Sequence, residues 1–110
     1  MISLYAQYVR EREGREIIEY PEGFVTYSFE GENCYIQDVF VTKDHRRKNI
    51  CFDLGDRVSR IAKEKGCKAL LGSVVPTAKG STESLKMLIA YGFMIYSSTN
   101  NFILLKKELV

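Results

Sequence analysis

Between Thr42 and Asn49 the chain reads TKDHRRKN, with Lys43, Arg46, Arg47 and Lys48 placing four cations within six residues. A strand-like run, Cys34 to Val41 (CYIQDVFV), enters this stretch, and a helical stripe of Ile50, Leu54, Val58, Ile61 and Ala62 leaves it. A helix start presents unpaired backbone N–H groups and the positive end of the helix dipole. With cations beside it, such a junction suits a diphosphate, which takes directed N–H bonds and charge-assisted contacts together. The same residues also read as a solvated basic turn, and spacing alone leaves both readings open. For proton transfer the entering strand offers Gln37 and Asp38, which alternation sends to opposite faces. Asp38 alternates with apolar Ile36 and Phe40, which predicts a buried carboxyl suited to act as a base. Its competing reading is a carboxylate satisfied by backbone or by a neighbouring arginine.

The elements that must position these residues follow from apolar periodicity and from Gly and Pro punctuation. Ile2, Leu4, Tyr5, Tyr8 and Val9 form a helical stripe ended by Gly14, and Arg15–Tyr20 is an extended segment stopped by Pro21-Glu22-Gly23. Phe24–Phe29 and Cys34–Val41 flank the turn Gly31-Glu32-Asn33 and read as an antiparallel hairpin. The helix after the basic loop runs from about Ile50 to Lys65, with Gly66 as its stop. Cys67–Val75 is a buried strand ended by Pro76, Ser81–Tyr91 a short helix ended by Gly92, and Met94–Ser98 and Phe102–Glu108 two final strands. Helix, three strands, helix, strand, helix and two strands make an α/β or α+β order with both parallel and antiparallel pairs.

Composition bounds the function classes. At 110 residues and 45% hydrophobic content the chain has the size of one domain, and seven Tyr and six Phe with 27% charged residues exclude disorder. Sixteen basic against fourteen acidic residues leave only +2, and no aromatic residues interleave with Lys43–Lys48, which disfavours a nucleic-acid partner. Cys34, Cys51 and Cys67 are far apart and sit among apolar residues, so they read as small buried hydrophobes. With a single histidine, His45, no metal site is expected. No apolar run approaches the roughly 18–20 residues of a bilayer span, and the first residues lack the order of a signal peptide. The expectation is a cytoplasmic, soluble chain without a membrane partner.

The segment from Val41 to Leu54, VTKDHRRKNICFDL, resembles motif A of the GNAT N-acetyltransferases. That motif closes a strand, runs Arg/Gln-x-x-Gly-x-Gly/Ala, and opens a helix on the pyrophosphate of acetyl-coenzyme A. Arg46 stands at the Arg/Gln, Asn49 at the first Gly and Cys51 at the Gly/Ala. Farther on, SLKMLIAYGF resembles the family's fourth-helix pattern, ending here in Gly92-Phe93. The resemblance spans about Arg15 to Leu109 and implies a GNAT-like α/β (α+β) fold, a mixed, mainly antiparallel sheet flanked by helices. It implies acetyl-CoA as cofactor, held by Arg46, Arg47, Lys48, Asn49, Ile50 and Cys51. Main chain around Val39, Phe40 and Val41 would meet the thioester and pantetheine, and Ser81 stands where an Asn often touches the pantetheine. Leu88 occupies the position at which a Tyr usually protonates the departing thiolate, which leaves Ser84 and Tyr91 as donors. Asn tolerates the left-handed backbone region, so Asn49 can stand in for glycine, while it and Cys51 crowd the pyrophosphate and predict weaker binding.

The implied activity is acetyl transfer from acetyl-CoA to an amine. Typical members carry more chain before Phe24, where the acceptor wall is built. The acceptor amine is a small molecule or a protein. An open acceptor side suits a bulky one such as a protein lysine or an N-terminus, and a homodimer partner is a second source of wall. Leu88, Asn49 and Cys51 keep open an alternative, a non-catalytic GNAT-fold binding module.

Overall fold

Ser3 begins the first helix by accepting the Ala6 N–H on its Oγ at 3.0 Å, and Gly14 ends it at φ 63°. The computed structural model describes residues 2–46 and 48–109. In chain order these form α1 (Leu4–Glu13), β1 (Glu16–Tyr20), β2 (Gly23–Glu30), β3 (Asn33–Val41), a 3₁₀ turn at Lys43–His45, α2 (Ile50–Glu64), β4 (Ala69–Val74), α3 (Ser81–Tyr91), β5 (Met94–Thr99) and β6 (Phe102–Glu108). The order is the one the punctuation predicts. Turn residues that must take positive φ are glycine or asparagine, including Asn100 and Asn101 between β5 and β6.

The six strands lie in one sheet ordered β1-β2-β3-β4-β6-β5. Only β3 and β4 pair in parallel; every other neighbour is antiparallel. This is the expected mixed, mainly antiparallel sheet. Two irregularities shape its middle. Thr26 pairs with Asp38 while Tyr27 pairs with Ile36, so Gln37 is an extra residue and β3 carries a bulge. The parallel pairing also runs only from Asn33/Ala69 to Ile36/Gly72, although β3 continues to Val41 and β4 to Val74. From Gln37 onward the two strands part.

The apolar stripe of α2 packs on one face of this sheet. Leu54, Val58 and Ala62 are fully buried against Val25, Tyr27, Cys34, Ile36 and Leu70, and α3 adds Leu88 beside Phe93 and Leu105. Strand alternation sends Phe24 and Thr26 to the opposite face, where the Tyr5 ring of α1 lies 5.2 Å from that of Phe24. Two helices thus cover one face, and one helix covers part of the other.

Candidate functional site

The junction of β3 and α2 folds into a cradle. Asn49 precedes the helix at φ 62° and ψ 13°, the left-handed conformation expected of a glycine stand-in. Its carbonyl accepts the Asp53 N–H at 3.0 Å, but its side chain does not cap the helix. The first-turn N–H groups of Ile50, Cys51 and Phe52 therefore carry the helix's positive end without a partner among the described residues. Arg46 is pinned beside them: its Nε donates to the Val41 carbonyl at 3.0 Å, and its guanidinium carbon lies 5.9 Å from the Phe40 ring centre. The 3₁₀ turn is closed by His45 N–H to Thr42 O at 2.9 Å, with Thr42 Oγ1 and His45 Nδ1 at 2.8 Å. Lys48 is exposed. Arg47, assigned to the same cradle from sequence, lies outside the described residues. A cavity of about 230 Å³ opens here, with Asn49 and Arg46 at its polar end and Ile50, Phe52 and Met87 as its apolar wall. Burial pushes the Cys51 thiol up, against the downward pull of Arg46, so it stays uncharged at neutral pH beside the cradle.

Past the cradle, β3 faces the gap left by β4. Asp38 sends its N–H toward β2, to Thr26 Oγ1 at 3.1 Å, and Thr42 does the same to Glu22 O at 2.8 Å. Alternation therefore aims the main-chain groups of Val39 and Val41 into the gap. Val39 is half-buried, Phe40 exposed and Val41 buried. Val41 lines the cavity on the α2 face, whereas Phe40 and Thr42 line a more open one, about 370 Å³, on the α1 face with Glu19 and Phe24. The end of β3 is a partition between two recesses.

Asp38 is not the buried carboxyl of one sequence reading but the arginine-satisfied carboxylate of the other. The extra residue at Gln37 breaks the period-two alternation, so Ile36 and Val39 pack into the core while Gln37 and Asp38 are exposed. The carboxylate is held by an arginine: Asp38 Oδ2 accepts from Arg15 Nη1 at 3.0 Å and from Thr26 Oγ1 at 3.4 Å. Arg15 also reaches Glu13 Oε1 at 2.8 Å. Desolvation pulls the guanidinium down, but its bonds to Asp38 and Glu13 outweigh it and leave Arg15 raised.

The sequence matches the model of the acetyltransferase (GNAT) family over residues 4–91. The chain belongs to the GNAT family. Solved structures agree in fold. The PaiA N-acetyltransferase of Thermoplasma acidophilum, solved with coenzyme A, is 15% identical at a TM-score of 0.74, over 91% of this chain and 65% of that one. A GNAT acetyltransferase of Elizabethkingia anophelis with acetyl-CoA bound is 24% identical at 0.71, over 96% and 82%. Nourseothricin acetyltransferase is 19% identical at 0.68, over 81% and 58%. The chain thus spans about two thirds or less of the Thermoplasma and nourseothricin proteins. A search of curated proteins finds no match.

In this GNAT chain the candidates on α3 are dispersed. Ser81 Oγ donates to Pro76 O at 2.7 Å and so closes the loop before the helix. Ser84 is exposed one turn before Met87 and Leu88 on the same side of the helix. Leu88 is core: a Cβ added at Gly72 would lie 3.4 Å from its Cδ2. Tyr91 is drawn to α2, donating its hydroxyl to Asp56 Oδ1 at 2.6 Å, and Lys107 Nζ lies 3.9 Å from its ring centre. Its phenol is pushed up to about 12, first by burial and then by Asp56. The close approach of the two helices uses Gly55, where a Cβ would meet the Tyr91 ring at 2.9 Å.

Several residues of the site were not marked as such by sequence. His45 lines the cavity, and Thr42-x-x-His45 at one-turn spacing was its only signal. Phe52 and Met87 meet there from two helices, which no local pattern announces. Tyr35 of β3 hydrogen-bonds Ser73 of β4 at the edge where the strands part. Arg15, read only as the first residue of a strand, is the centre of the Asp38 network.

Proposed function

We propose that this chain is an N-acetyltransferase that takes its acetyl group from acetyl-CoA. The observation that carries the reading is the uncapped start of α2 at Ile50–Phe52, flanked by Arg46 and opening onto the gap between β3 and β4. The residues present fit the cofactor. First-turn N–H groups, Arg46 and Lys48 suit the diphosphate, Ile50, Phe52 and Met87 suit the less polar pantetheine, and the gap leads its thioester to Val39. A main-chain N–H of Val39 or Val41 polarises the thioester carbonyl, as an oxyanion site does. The acceptor amine approaches from the α1 face, where Asp38 presents Oδ1, an oxygen with no hydrogen bond among the described residues. The amine nitrogen bonds the acetyl carbon, the carbon–sulfur bond breaks, the amine proton passes to Asp38 or water, and the thiolate takes a proton in turn. Of the two α3 donors, Ser84 has a hydroxyl without a hydrogen bond among the described residues, whereas Tyr91 is committed to Asp56.

The open α1 face favours a bulky amine, a protein lysine or N-terminus, over an enclosed small molecule. Free cysteines at 34, 51 and 67 fit the reducing cytoplasm. Leu88 in the core, where a tyrosine donor is usual, favours a second reading as a coenzyme A-binding module without turnover. Titration calorimetry with coenzyme A tests the binding shared by both readings. Thiol release from acetyl-CoA, measured over a diamine, a lysine peptide and a peptide N-terminus, separates them. No heat with coenzyme A refutes both, and binding without thiol release leaves the binding module.

A further inference from the structure

We propose that Arg15 is a positioning residue, holding the β3 bulge and the Asp38 carboxylate in the geometry in which Asp38 meets the acceptor amine. The inference rests on the acetyltransferase reading and extends it to a residue away from both substrates. The buried polar side chains among the described residues are Arg15 and Thr26, and they are bonded to each other. A buried guanidinium is costly unless its donors are matched. Here Nη1 reaches Thr26 Oγ1 and Asp38 Oδ2, and Nη2 reaches Glu13. Thr26 is used to capacity: its hydroxyl accepts from Arg15 and from the Asp38 N–H, and donates to Asp38 Oδ2.

The location gives the cluster its purpose. A bulge places two residues opposite one and removes a ladder partner from the bulged strand. At the bulge the Asp38 N–H donates to the Thr26 side chain at 3.1 Å. The cluster therefore fixes the bulge where β3 parts from β4, next to the Val39 main chain that faces the gap. With Oδ2 anchored, the carboxylate cannot swing away, and Oδ1 is left for the amine. Arg15 reaches this point from the α1–β1 corner, so it couples the acceptor-side helix to the reacting strand.

The test compares Arg15→Met and Arg15→Lys with the wild-type chain, using thiol release from acetyl-CoA with the same amines, calorimetry with coenzyme A, and amide exchange. Arg15→Met should bind coenzyme A within about twofold of wild type and keep its KM for acetyl-CoA. Its kcat per folded molecule should fall at least tenfold, and the Asp38 and Val39 amides should exchange at least tenfold faster while those of α2 do not change. Arg15→Lys should recover part of kcat, because an ammonium can meet Asp38 but cannot fork to Thr26 and Glu13 as well. A purely structural arginine would lower stability and leave kcat per folded molecule at the wild-type value, which overturns the proposal. If Arg15→Met does not fold, Arg15→Lys decides: lowered kcat at unchanged acetyl-CoA KM supports the clamp, and wild-type kcat overturns it. A wild-type chain that acetylates none of the amines refutes the proposed function and the positioning role together. An active wild type with equally active variants refutes Arg15 alone.

Discussion

Arg46→Ala isolates the charge at the helix-start cradle. Its Nε is committed to the Val41 carbonyl at 3.0 Å, and the two terminal nitrogens have no hydrogen bond among the described residues. A charge-assisted pair to a phosphate is worth about 1.5–3 kcal/mol when partly desolvated. Arg46 is exposed, so solvent screening reduces this to roughly 1–2 kcal/mol. At about 1.4 kcal/mol per factor of ten, the Kd for coenzyme A should rise roughly 5- to 30-fold. Stability should move by less than about 1 kcal/mol, since the side chain is on the surface, bonded to the Val41 carbonyl and lying over the Phe40 ring. The assay is titration calorimetry of wild type and variant with coenzyme A and with pantetheine, each at low and high salt. The variant should lose affinity for coenzyme A alone, and the loss should shrink as salt rises. Equal coenzyme A affinity in the two proteins, or equal loss for both ligands, would refute the placement of the diphosphate.

Other expectations follow from the same geometry. Asn49→Ala should destabilise the chain by about 1 kcal/mol relative to Asn49→Gly in urea unfolding, because alanine lacks asparagine's tolerance of φ 62°. Asn49→Gly should also bind coenzyme A more tightly; equal stability of the two variants would contradict the strain argument. Leu88→Tyr should cost about 1–3 kcal/mol in the same assay, since Leu88 already packs against the backbone at Gly72 and a larger ring must displace its neighbours. No loss there would mean spare room beside β4. Alkaline unfolding should report Cys34 and Tyr91, both held protonated in the folded chain to about 12, Cys34 by burial and the neighbouring Cys67, Tyr91 by burial and Asp56. The unfolded groups release protons near 9 and 10, so the folded chain binds more protons above that pH. The stability they contribute is complete below about pH 9 and declines toward pH 12. Cys34→Val and Tyr91→Phe should each flatten the decline between pH 9 and 11, and a chain equally stable at both ends would refute it.

The element order was legible because its determinants are local. Gly14, Gly66 and Gly92 each take positive φ at or just past a helix end. The stripe of Leu54, Val58 and Ala62 repeats at helical spacing and is buried as that spacing requires. The left-handed backbone of Asn49 was expected from its place at the glycine of the GNAT motif it resembles, since asparagine tolerates that region. The basic loop before a helix named the cradle for the same reason: N–H groups, dipole and cations all lie within a few residues of one another.

The sheet's middle was not legible, because it depends on registry between distant strands. One extra residue at Gln37 shifts Asp38 away from the face that alternation in β3 assigns to it, and only the pairing of Thr26 and Tyr27 reveals the extra residue. Arg15 looks like any strand-opening arginine until folding brings it to Thr26 and Asp38, 11 and 23 positions away. Tyr91, a possible proton donor by sequence, finds Asp56 35 positions earlier because Gly55 lets α2 and α3 close on each other. By itself the sequence determined which segments coil or extend and where a basic loop meets a helix start, since these depend on nearest neighbours. The tertiary structure alone decided which carboxylate is anchored, which hydroxyl is free and where the sheet opens, because a buried polar group takes its role from partners the chain brings together only on folding.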